Sequence, residues 1–323
     1  MLAALARTTP RTRGILCIAA ATVFLTANDS MIKWLSPYYP LHEIVLIRSL
    51  VAISITLFIV RLEGGLRILR TRRPVLHFIR GFLIVLANMA FFLGIAAMPL
   101  ADATALFFVA PLIITMLSVP ILGEQVGLKR WLAVFAGLAG VVIMMRPGFG
   151  VVSVAAAFPL LAALAYASMQ MLTRRLGVTE KAAALAFYIQ LTFILVSASI
   201  GLAVGDGRYG NVDNPSLAFF FRAWTWPSLA DAGLMTLCGT LVACGGYLMS
   251  QAYRSAQAAV VAPFEYTALP LAVFWGYQLF GDLPDGFTIL GILLIVGSGL
   301  FVFYRETLHE RLIAARQPMT PGR

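Results

Sequence analysis

The sequence predicts an all-α membrane protein with ten transmembrane helices, arranged as two inverted five-helix repeats with both termini in the cytoplasm. Three observations lead to this prediction. Hydrophobic residues make up 60% of the 323 residues and charged residues 12%, about half of the roughly 25% charge of a typical soluble domain. Apolar segments long enough to cross a bilayer recur along the chain. Basic residues gather in alternate loops between those segments.

The ten predicted spans come from apolar windows of about 19 residues. Each window is long enough, at about 1.5 Å per residue, to cross the hydrocarbon core of a bilayer. The predicted spans are Gly14–Leu35, Leu41–Val60, Val75–Ala97, Ala103–Leu122, Leu128–Met145, Val151–Leu172, Ala182–Val204, Leu229–Tyr253, Ala256–Phe280 and Phe287–Phe303.

The distribution of Lys and Arg sets the orientation, because short cytoplasmic loops of membrane proteins are enriched in basic residues. With the N-terminus in the cytoplasm, the outer loops hold only Arg146, Arg208 and Arg222 of the 24 basic residues, and Lys33 and Arg48 lie within spans. All the others fall in cytoplasmic segments, and a miscount of one span would destroy this asymmetry. The formal net charge of +10 is explained by this bias, so we expect no nucleic-acid partner.

Internal similarity between the two halves predicts the repeat. Near the end of each half, Gly123-Glu124 aligns with Gly281-Asp282. Because five spans is an odd number, the second half enters the membrane from the opposite side, which suits alternating access. The predicted organisation is a cytoplasmic tail over 1–13, a first repeat over 14–147, a second repeat over 148–304 and a cytoplasmic tail over 305–323.

Three stretches of the chain carry a family pattern. They are ANDSMIKWLSPYYPLHEIVLIRS in spans 1 and 2, ADATALFFVAPLIITMLSVPILGEQVGLKRWLAVFAGLAGVVIMMRP in spans 4 and 5, and AQAAVVAPFEYTALPLAVFWGYQLFGDLPDGFTILGILLIVGSGLFVFYR in spans 9 and 10. Together they resemble the EamA branch of the drug/metabolite transporter (DMT) superfamily. The resemblance implies a ten-helix bundle with a central cavity, in which spans 1–4 and 6–9 line the path and spans 5 and 10 lie at the periphery. Glu124 and Asp282 match the acidic residue that the family places after Gly, Asp282 being a conservative departure from Glu.

Within that family, the pattern is most similar to members that take up riboflavin or S-adenosylmethionine. We therefore expect a secondary transporter, not an enzyme, that moves a small organic metabolite across the bacterial inner (cytoplasmic) membrane. Riboflavin uptake is the leading expectation, and S-adenosylmethionine uptake or export of an amino acid or drug stays open. The alternative from another class is a membrane-embedded enzyme that modifies lipids. The expected partners are the substrate and membrane lipid, and a homodimer stays open.

Charged side chains within spans are the first candidates for the transport site. Each costs about 2.5 to 3.5 kcal/mol at the centre of a bilayer, so it is expected to face the bundle interior or water. Asp29 and Lys33 lie four residues apart in span 1 and can meet on one helix face. With Arg48 and Glu43 of span 2 they predict a charge network at the outer mouth. The network is either a gate or substrate anchor, or a permanent structural ion pair.

Glu265 is the candidate for proton coupling as well as for substrate binding. It lies about nine residues, or roughly 13 Å, into span 9 and therefore near the midplane. Pro263 removes a backbone donor there and is expected to kink the helix. A midplane carboxylate beside a helix break is typical of substrate or ion sites in transporters. The open alternative is a carboxyl group hydrogen-bonded to a neighbouring helix.

Uncharged polar and aromatic residues complete the candidate site. Asn88 and Gln170 lie within spans and bond either a ligand or another helix; Tyr266 follows Glu265. Aromatic rings suit stacking on a flat ring system such as an isoalloxazine. Those at positions that can line a cavity are Phe91, Phe92, Phe107, Phe108, Tyr166, Tyr188, Phe264, Tyr266 and Trp275.

No metal or cofactor is expected. The three cysteines all lie in apolar segments without a CxxC pair, and the three histidines lack zinc-ligand spacing. A Walker A sequence is absent from the chain, so direct coupling to ATP is not expected.

Overall fold

The computed structural model describes residues 10–71, 74–123, 127–145, 154–176, 182–255 and 262–316. These residues form helices joined by turns and short extended segments. Two of the helices are of the 3₁₀ type, Leu66–Leu69 and Ala262–Thr267. The α-helices are α1 (Pro10–Leu35), α2 (Leu41–Glu63), α3 (Pro74–Ala97), α4 (Leu100–Phe107), α5 (Ala110–Leu122), α6 (Leu128–Met145), α7 (Val154–Leu176), α8 (Ala182–Val204), α9 (Pro215–Phe221), α10 (Leu229–Ser255), α11 (Ala268–Phe280) and α12 (Gly286–Arg316).

Seven helical stretches within the described residues are long and apolar enough to cross a membrane. They are Thr12–Leu35, Leu41–Leu62, Pro74–Ala97, Leu100–Ile121, Ala155–Leu172, Ala186–Val204 and Leu229–Met249. Shorter apolar helices cover Trp131–Met145 in α6 and Gly286–Val302 in α12. The chain is therefore a multi-pass α-helical membrane protein, since a helix satisfies its own backbone hydrogen bonds in lipid.

Two predicted spans are interrupted rather than continuous. Predicted span 4 consists of α4 and α5, separated by Phe108 and Val109. In predicted span 9, the described part begins with the 3₁₀ helix Ala262–Thr267, which includes Pro263, and continues as α11. Both α5 and α11 are 13 residues long and end at a glycine with positive φ, 71° at Gly123 and 72° at Gly281. Glycine adopts this left-handed conformation without strain and commonly ends a helix.

Other boundaries also differ from the sequence prediction. The helix α12 extends beyond predicted span 10 and ends at Arg316, while the cytoplasmic location of the segment over 305–323 stays a prediction. The loop between α8 and α10 contains a short helix, α9, which the sequence pattern did not indicate. The side chain of Asn214 caps α9 by accepting hydrogen bonds from two backbone N–H groups of its first turn, as asparagine does at many helix starts. Glu124 and the junction between residues 147 and 148 lie outside the described residues.

Helices from the N-terminal part of the chain pack mainly on helices from the C-terminal part. α1 packs along α10, α2 along α8, α3 along α7 and α6 along α12. In the last pair the backbones approach closely, since a Cβ atom added at Gly140 would lie 2.9 Å from the carbonyl oxygen of Gly291. Such small residues allow close helix packing in membranes.

Hydrogen bonds join the loop before α10, and the start of α10, to the turn between α1 and α2. Arg222 donates a hydrogen bond of 2.6 Å to the carbonyl oxygen of Ser36, and burial lowers the pKa of its guanidinium. The hydroxyl of Tyr39 donates to the carboxylate of Asp231 at 2.8 Å and accepts from the backbone N–H of Ser228 at 3.2 Å. The hydrogen bond to Asp231 raises the pKa of Tyr39. We call the face of the bundle that carries this turn the α1–α2 end.

Candidate functional site

Five aromatic rings form a continuous chain of contacts inside the bundle. The centroids are 5.6 Å apart for Phe91 and Phe107, 5.6 Å for Phe107 and Tyr166, 6.1 Å for Phe107 and Phe108, and 4.9 Å for Phe108 and Tyr266. The rings come from α3, the α4–α5 segment, α7 and the 3₁₀ helix before α11. We call these five residues the aromatic cluster. Phe91, Phe107 and Tyr166 are only partly buried, and aromatic rings of this kind can stack on other flat rings.

Polar candidates lie beside the aromatic cluster. The amide nitrogen of Gln170 donates to the hydroxyl of Tyr166 at 3.0 Å. Asn88 lies one helical turn before Phe91 on α3, and its amide donates to the Ile84 carbonyl of its own helix at 3.3 Å. The carboxylate of Glu265 interacts electrostatically with Tyr166. Of the sequence-predicted residues, the structure therefore brings Gln170 and Glu265 together around the aromatic cluster, with Asn88 one turn from it.

Tyr266 is buried and lies against α12. Its hydroxyl forms no hydrogen bond within the described part of the chain, and the Glu265 carboxylate acts on it electrostatically. A Cβ atom added at Gly299 would overlap this hydroxyl. The absence of a side chain at Gly299 therefore makes room for the Tyr266 ring.

The helix spacing predicts that Lys33 meets Asp29, but in the structure the two side chains do not form an ion pair. Its ammonium lies 3.2 Å from the carboxylate of Asp282, which follows α11. The same nitrogen donates to the carbonyl oxygen of Met98 at 2.9 Å and lies 4.7 Å from the centroid of the Phe280 ring. The reason is the reach of the long lysine side chain, which extends away from its own helix to satisfy its charge at the helix end.

The predicted network with Glu43 and Arg48 does not form either. Glu43 accepts a hydrogen bond from the backbone N–H of Thr225 at 3.3 Å. Asp29 accepts a hydrogen bond of 3.0 Å from the side-chain amide of Asn28. The charges of the network are thus separated into Lys33 at the α1–α2 end and the deeper residues Asp29 and Arg48.

Arg48 has an unusual environment for a charged residue. Its exposed fraction is 1%, and its guanidinium lies 5.2 Å from the centroid of Phe92 and 5.3 Å from that of Phe193. The Asp29 charge acts on it electrostatically, but the two groups do not form an ion pair. Phe193 was missed by the sequence analysis because nothing in the local pattern of α8 separates it from the surrounding apolar residues.

Asp282 was noted in the sequence, but its partner was not. The family pattern drew attention to it as an acidic residue after Gly281, yet gave no partner for it. Its partner Lys33 is 249 residues away in sequence, and such a contact has no local signal. In the part of the chain that the structure describes, no group of three or more His, Cys, Asp and Glu residues is placed to hold a metal ion.

Comparison with known proteins assigns the family. The EamA-like transporter family matches residues 12–146. A riboflavin transporter of Rhizobium johnstonii is 32% identical over 247 residues, which cover 76% of this chain and 76% of that protein. The chain belongs to the EamA-like transporter family. It is therefore a membrane transporter of the DMT superfamily, and its substrate is a small molecule.

Two further comparisons extend over nearly the whole EamA chain. An S-adenosylmethionine uptake transporter of Rickettsia prowazekii is 25% identical over 293 residues, covering 91% of this chain and 93% of that protein. A crystal structure with 19% sequence identity superposes with a TM-score of 0.61, covering 93% of this chain and 99% of the other. The likeness to that structure shows that this EamA transporter has the fold of a known protein.

Proposed function

We propose that the chain takes up riboflavin across the bacterial inner membrane by alternating access. The observation that carries this proposal is the aromatic cluster, whose rings come from helices in both halves of the chain. An isoalloxazine is flat and apolar on its faces, so it stacks on such rings. The side-chain amides of Asn88 and Gln170 would then pair with the polar edge of the ring system. The relative from Rhizobium johnstonii, named a riboflavin transporter, supports this choice of substrate.

The proposal includes ten spans in two inverted repeats, with both termini in the cytoplasm. The two interrupted segments support it, because α5 and α11 have equal length and equivalent glycine ends. In the register that aligns Gly123 with Gly281, Phe108 aligns with Tyr266, and these two rings contact each other at 4.9 Å. Equivalent residues that touch are expected where the pseudo-two-fold axis passes between the halves.

Alternating access follows from that arrangement. If the two halves rock against each other, the aromatic cluster opens alternately to each side of the membrane. The contact of Lys33 with Asp282 joins α1 of the first half to the end of α11 of the second. In the proposed orientation this contact closes the outer side, and it must break for riboflavin to enter.

Glu265 is the proposed proton-coupling residue. It lies in the 3₁₀ helix beside the break before α11, where the backbone is not fully paired within a regular α-helix. It acts electrostatically on Tyr166 and Tyr266, two members of the aromatic cluster. A change in the protonation of Glu265 would therefore change the electrostatic potential at the bound substrate.

S-adenosylmethionine is the second candidate substrate. The opposite charges of Asp29 and Arg48, which are not joined in an ion pair, would suit the ammonium and carboxylate of its amino-acid part. The relative from Rickettsia prowazekii, named an S-adenosylmethionine uptake transporter, aligns over more of the chain than the riboflavin transporter. The aromatic cluster would then stack on the adenine ring.

Uptake in bacteria that cannot make either compound distinguishes these candidates. Cells that express the chain are supplied with radiolabelled riboflavin or S-adenosylmethionine, and the amount of protein in the membrane is measured in parallel. The Phe107→Ala variant removes the central ring of the cluster and is expected to weaken riboflavin uptake roughly fivefold to tenfold. Phe58→Ala is the matched control, since Phe58 on α2 is 64% exposed. Uptake of riboflavin that is equal in both variants would contradict the proposed site.

A further inference from the structure

The side chain of Arg48 is buried, and it has no hydrogen-bond partner among the residues that the structure describes. It has five N–H donors, and none of them donates to any residue that the structure describes. Its Nε atom is completely buried. Buried polar groups in proteins are nearly always hydrogen-bonded, and an exception requires an explanation.

Lys33, which is only partly buried, shows by contrast a charge within a span that has several partners. Its ammonium contacts the Asp282 carboxylate, the Met98 carbonyl and the face of Phe280. Among the described residues, Arg48 contacts the faces of two rings and interacts electrostatically with Cys238 and Asp29, without a hydrogen bond or ion pair to either. An unpaired guanidinium in this position destabilises the protein. No residue that the structure describes occupies its donors, which leaves them available to a bound solute.

The two rings leave the edge of the guanidinium available. Phe92 and Phe193 contact the group through their faces, at 5.2 and 5.3 Å, and come from different helices, α3 and α8. Cation–π contact of this kind uses the face of the ring and leaves the planar N–H donors unpaired. Ser49, the next residue on α2, also has a buried hydroxyl without a partner.

Arg48 is connected to the aromatic cluster through neighbouring rings. Phe92, which contacts the guanidinium, has its centroid 6.0 Å from that of Phe91. Phe91 in turn lies 5.6 Å from Phe107, the centre of the cluster. A series of adjacent ring contacts therefore connects Arg48 to the aromatic cluster.

We propose that Arg48 binds the transported solute directly, through a planar edge of the solute that carries two adjacent hydrogen-bond acceptors. Arginine is suited to such an edge because its N–H groups form a fixed planar fork. Two solutes supply this chemistry: the N1 and C2 carbonyl of an isoalloxazine, and the carboxylate of S-adenosylmethionine. The inference rests on the proposed transport function and adds the group by which the solute is recognised.

Flavin binding to the purified protein tests the inference. Riboflavin is compared with 1-deazariboflavin, in which a C–H group replaces the N1 acceptor. Arg48→Lys keeps the charge but loses the planar fork, and is expected to weaken riboflavin binding about tenfold or more. The same substitution should have little effect on 1-deazariboflavin, because one half of the paired contact is already missing. Arg61→Lys, at the exposed end of α2, is the control and should bind both flavins as the unchanged protein does.

The outcomes separate this inference from the riboflavin proposal. If Arg48→Lys weakens the binding of both flavins equally, or of neither, Arg48 does not bind the acceptor edge. The inference is then overturned. If the unchanged protein binds no flavin, the riboflavin proposal fails, and the same comparison is made with S-adenosylmethionine and its decarboxylated form. If Arg48→Lys then weakens the binding of S-adenosylmethionine but not of its decarboxylated form, the result supports the inference with S-adenosylmethionine as the solute.

A second measurement needs no ligand. Arg48→Met replaces the unpaired guanidinium by an apolar side chain of similar length. The unfolding temperature of the ligand-free protein in detergent should stay equal or rise, because the substitution removes a buried charge that has no partner. A fall of more than a few degrees would mean that Arg48 holds the fold together, and would overturn the inference even if the protein bound none of the solutes.

Discussion

The ammonium nitrogen of Lys33 lies 3.2 Å from a carboxylate oxygen of Asp282. It also donates to the carbonyl oxygen of Met98 at 2.9 Å. One side chain therefore joins α1, the turn between α3 and α4, and the end of α11. Asp29, on the same helix as Lys33, does not take part, so the charges of α1 act in two separate places.

Replacing Asp282 by Asn removes this ion pair and keeps the size of the side chain. The pair is partly exposed, so we expect a loss of about 1 kcal/mol, measured as a lower unfolding temperature in detergent. Asp206→Asn is the control, since Asp206 lies in an exposed loop and pairs with Arg208. The double exchange Lys33→Asp with Asp282→Lys should recover part of the loss. A double variant as unstable as the sum of the two single ones would show that the contact contributes nothing.

A methyl group at Gly299 should destabilise the protein through Tyr266. The Cβ atom of Gly299→Ala would overlap the Tyr266 hydroxyl, and overpacking of this kind costs about 1 to 3 kcal/mol. Gly297→Ala on the same helix is the control, because nothing lies within 4 Å of its added Cβ atom. Combining Gly299→Ala with Tyr266→Phe removes the overlapping oxygen but keeps the ring carbon 2.8 Å from the added Cβ atom, so it should restore part of the unfolding temperature. If the double variant unfolds at the same temperature as Gly299→Ala alone, the Tyr266 hydroxyl is not the cause of the loss.

The hydrogen bond of Tyr39 should add to the free energy of unfolding, and this contribution should disappear at high pH. The bond to Asp231 raises the pKa of Tyr39 above its usual 10.0. Because the folded state raises this pKa, the contribution is complete below about pH 10 and is lost as the pH rises through the folded-state pKa. The difference in unfolding temperature between the unchanged protein and Tyr39→Phe should thus be constant from pH 7 to 9 and shrink above pH 10.

The neighbouring residue supplies the control for that measurement. Tyr38 is 63% exposed, and Tyr38→Phe should follow the unchanged protein at every pH. A difference for Tyr39→Phe that persists unchanged to pH 11 would mean that the phenol does not ionise there or that its bond does not stabilise the fold.

Glu265→Gln should uncouple riboflavin uptake from the proton gradient. The amide keeps the shape of the carboxyl group but does not exchange a proton. We expect accumulation of riboflavin to be lost, while exchange of labelled for unlabelled riboflavin across vesicles is retained, because exchange needs no net proton movement. If a protonophore abolishes accumulation equally in the variant and the unchanged protein, a different residue carries the proton.

The sequence predicted much of the helical architecture because hydropathy over about 20 residues is a local property. Seven of the predicted spans coincide with helical stretches long and apolar enough to cross a membrane, within the residues that the structure describes. The breaks at Phe108-Val109 and before Ala268 were not predicted as such, although Pro263 indicated a kink in the second. An interrupted helix keeps the same hydropathy, so only its backbone geometry reveals the break.

The candidate site was less predictable, since its contacts join residues far apart in sequence. Lys33 could be singled out as a charge within an apolar span, but the helix spacing pointed to Asp29, whereas the partner is Asp282. Arg48 was identified for the same reason, and the lack of a hydrogen-bond partner for its buried Nε among the described residues became visible only once the surrounding helices were in place. Sequence patterns identify charged residues whose burial is unfavourable. The structure shows which contacts offset that unfavourable burial.

The bond between Tyr39 and Asp231 spans 192 residues, and this separation has a consequence for biosynthesis. At roughly 5 to 20 residues per second, the ribosome needs about 10 to 40 s after Tyr39 to deliver its partner. Within that interval α2 and α3 are made before α7, α8 and α10, so the first helices wait for the ones on which they pack in the finished protein. The newly made helices must therefore be shielded by lipid or by the insertion machinery until the second half arrives.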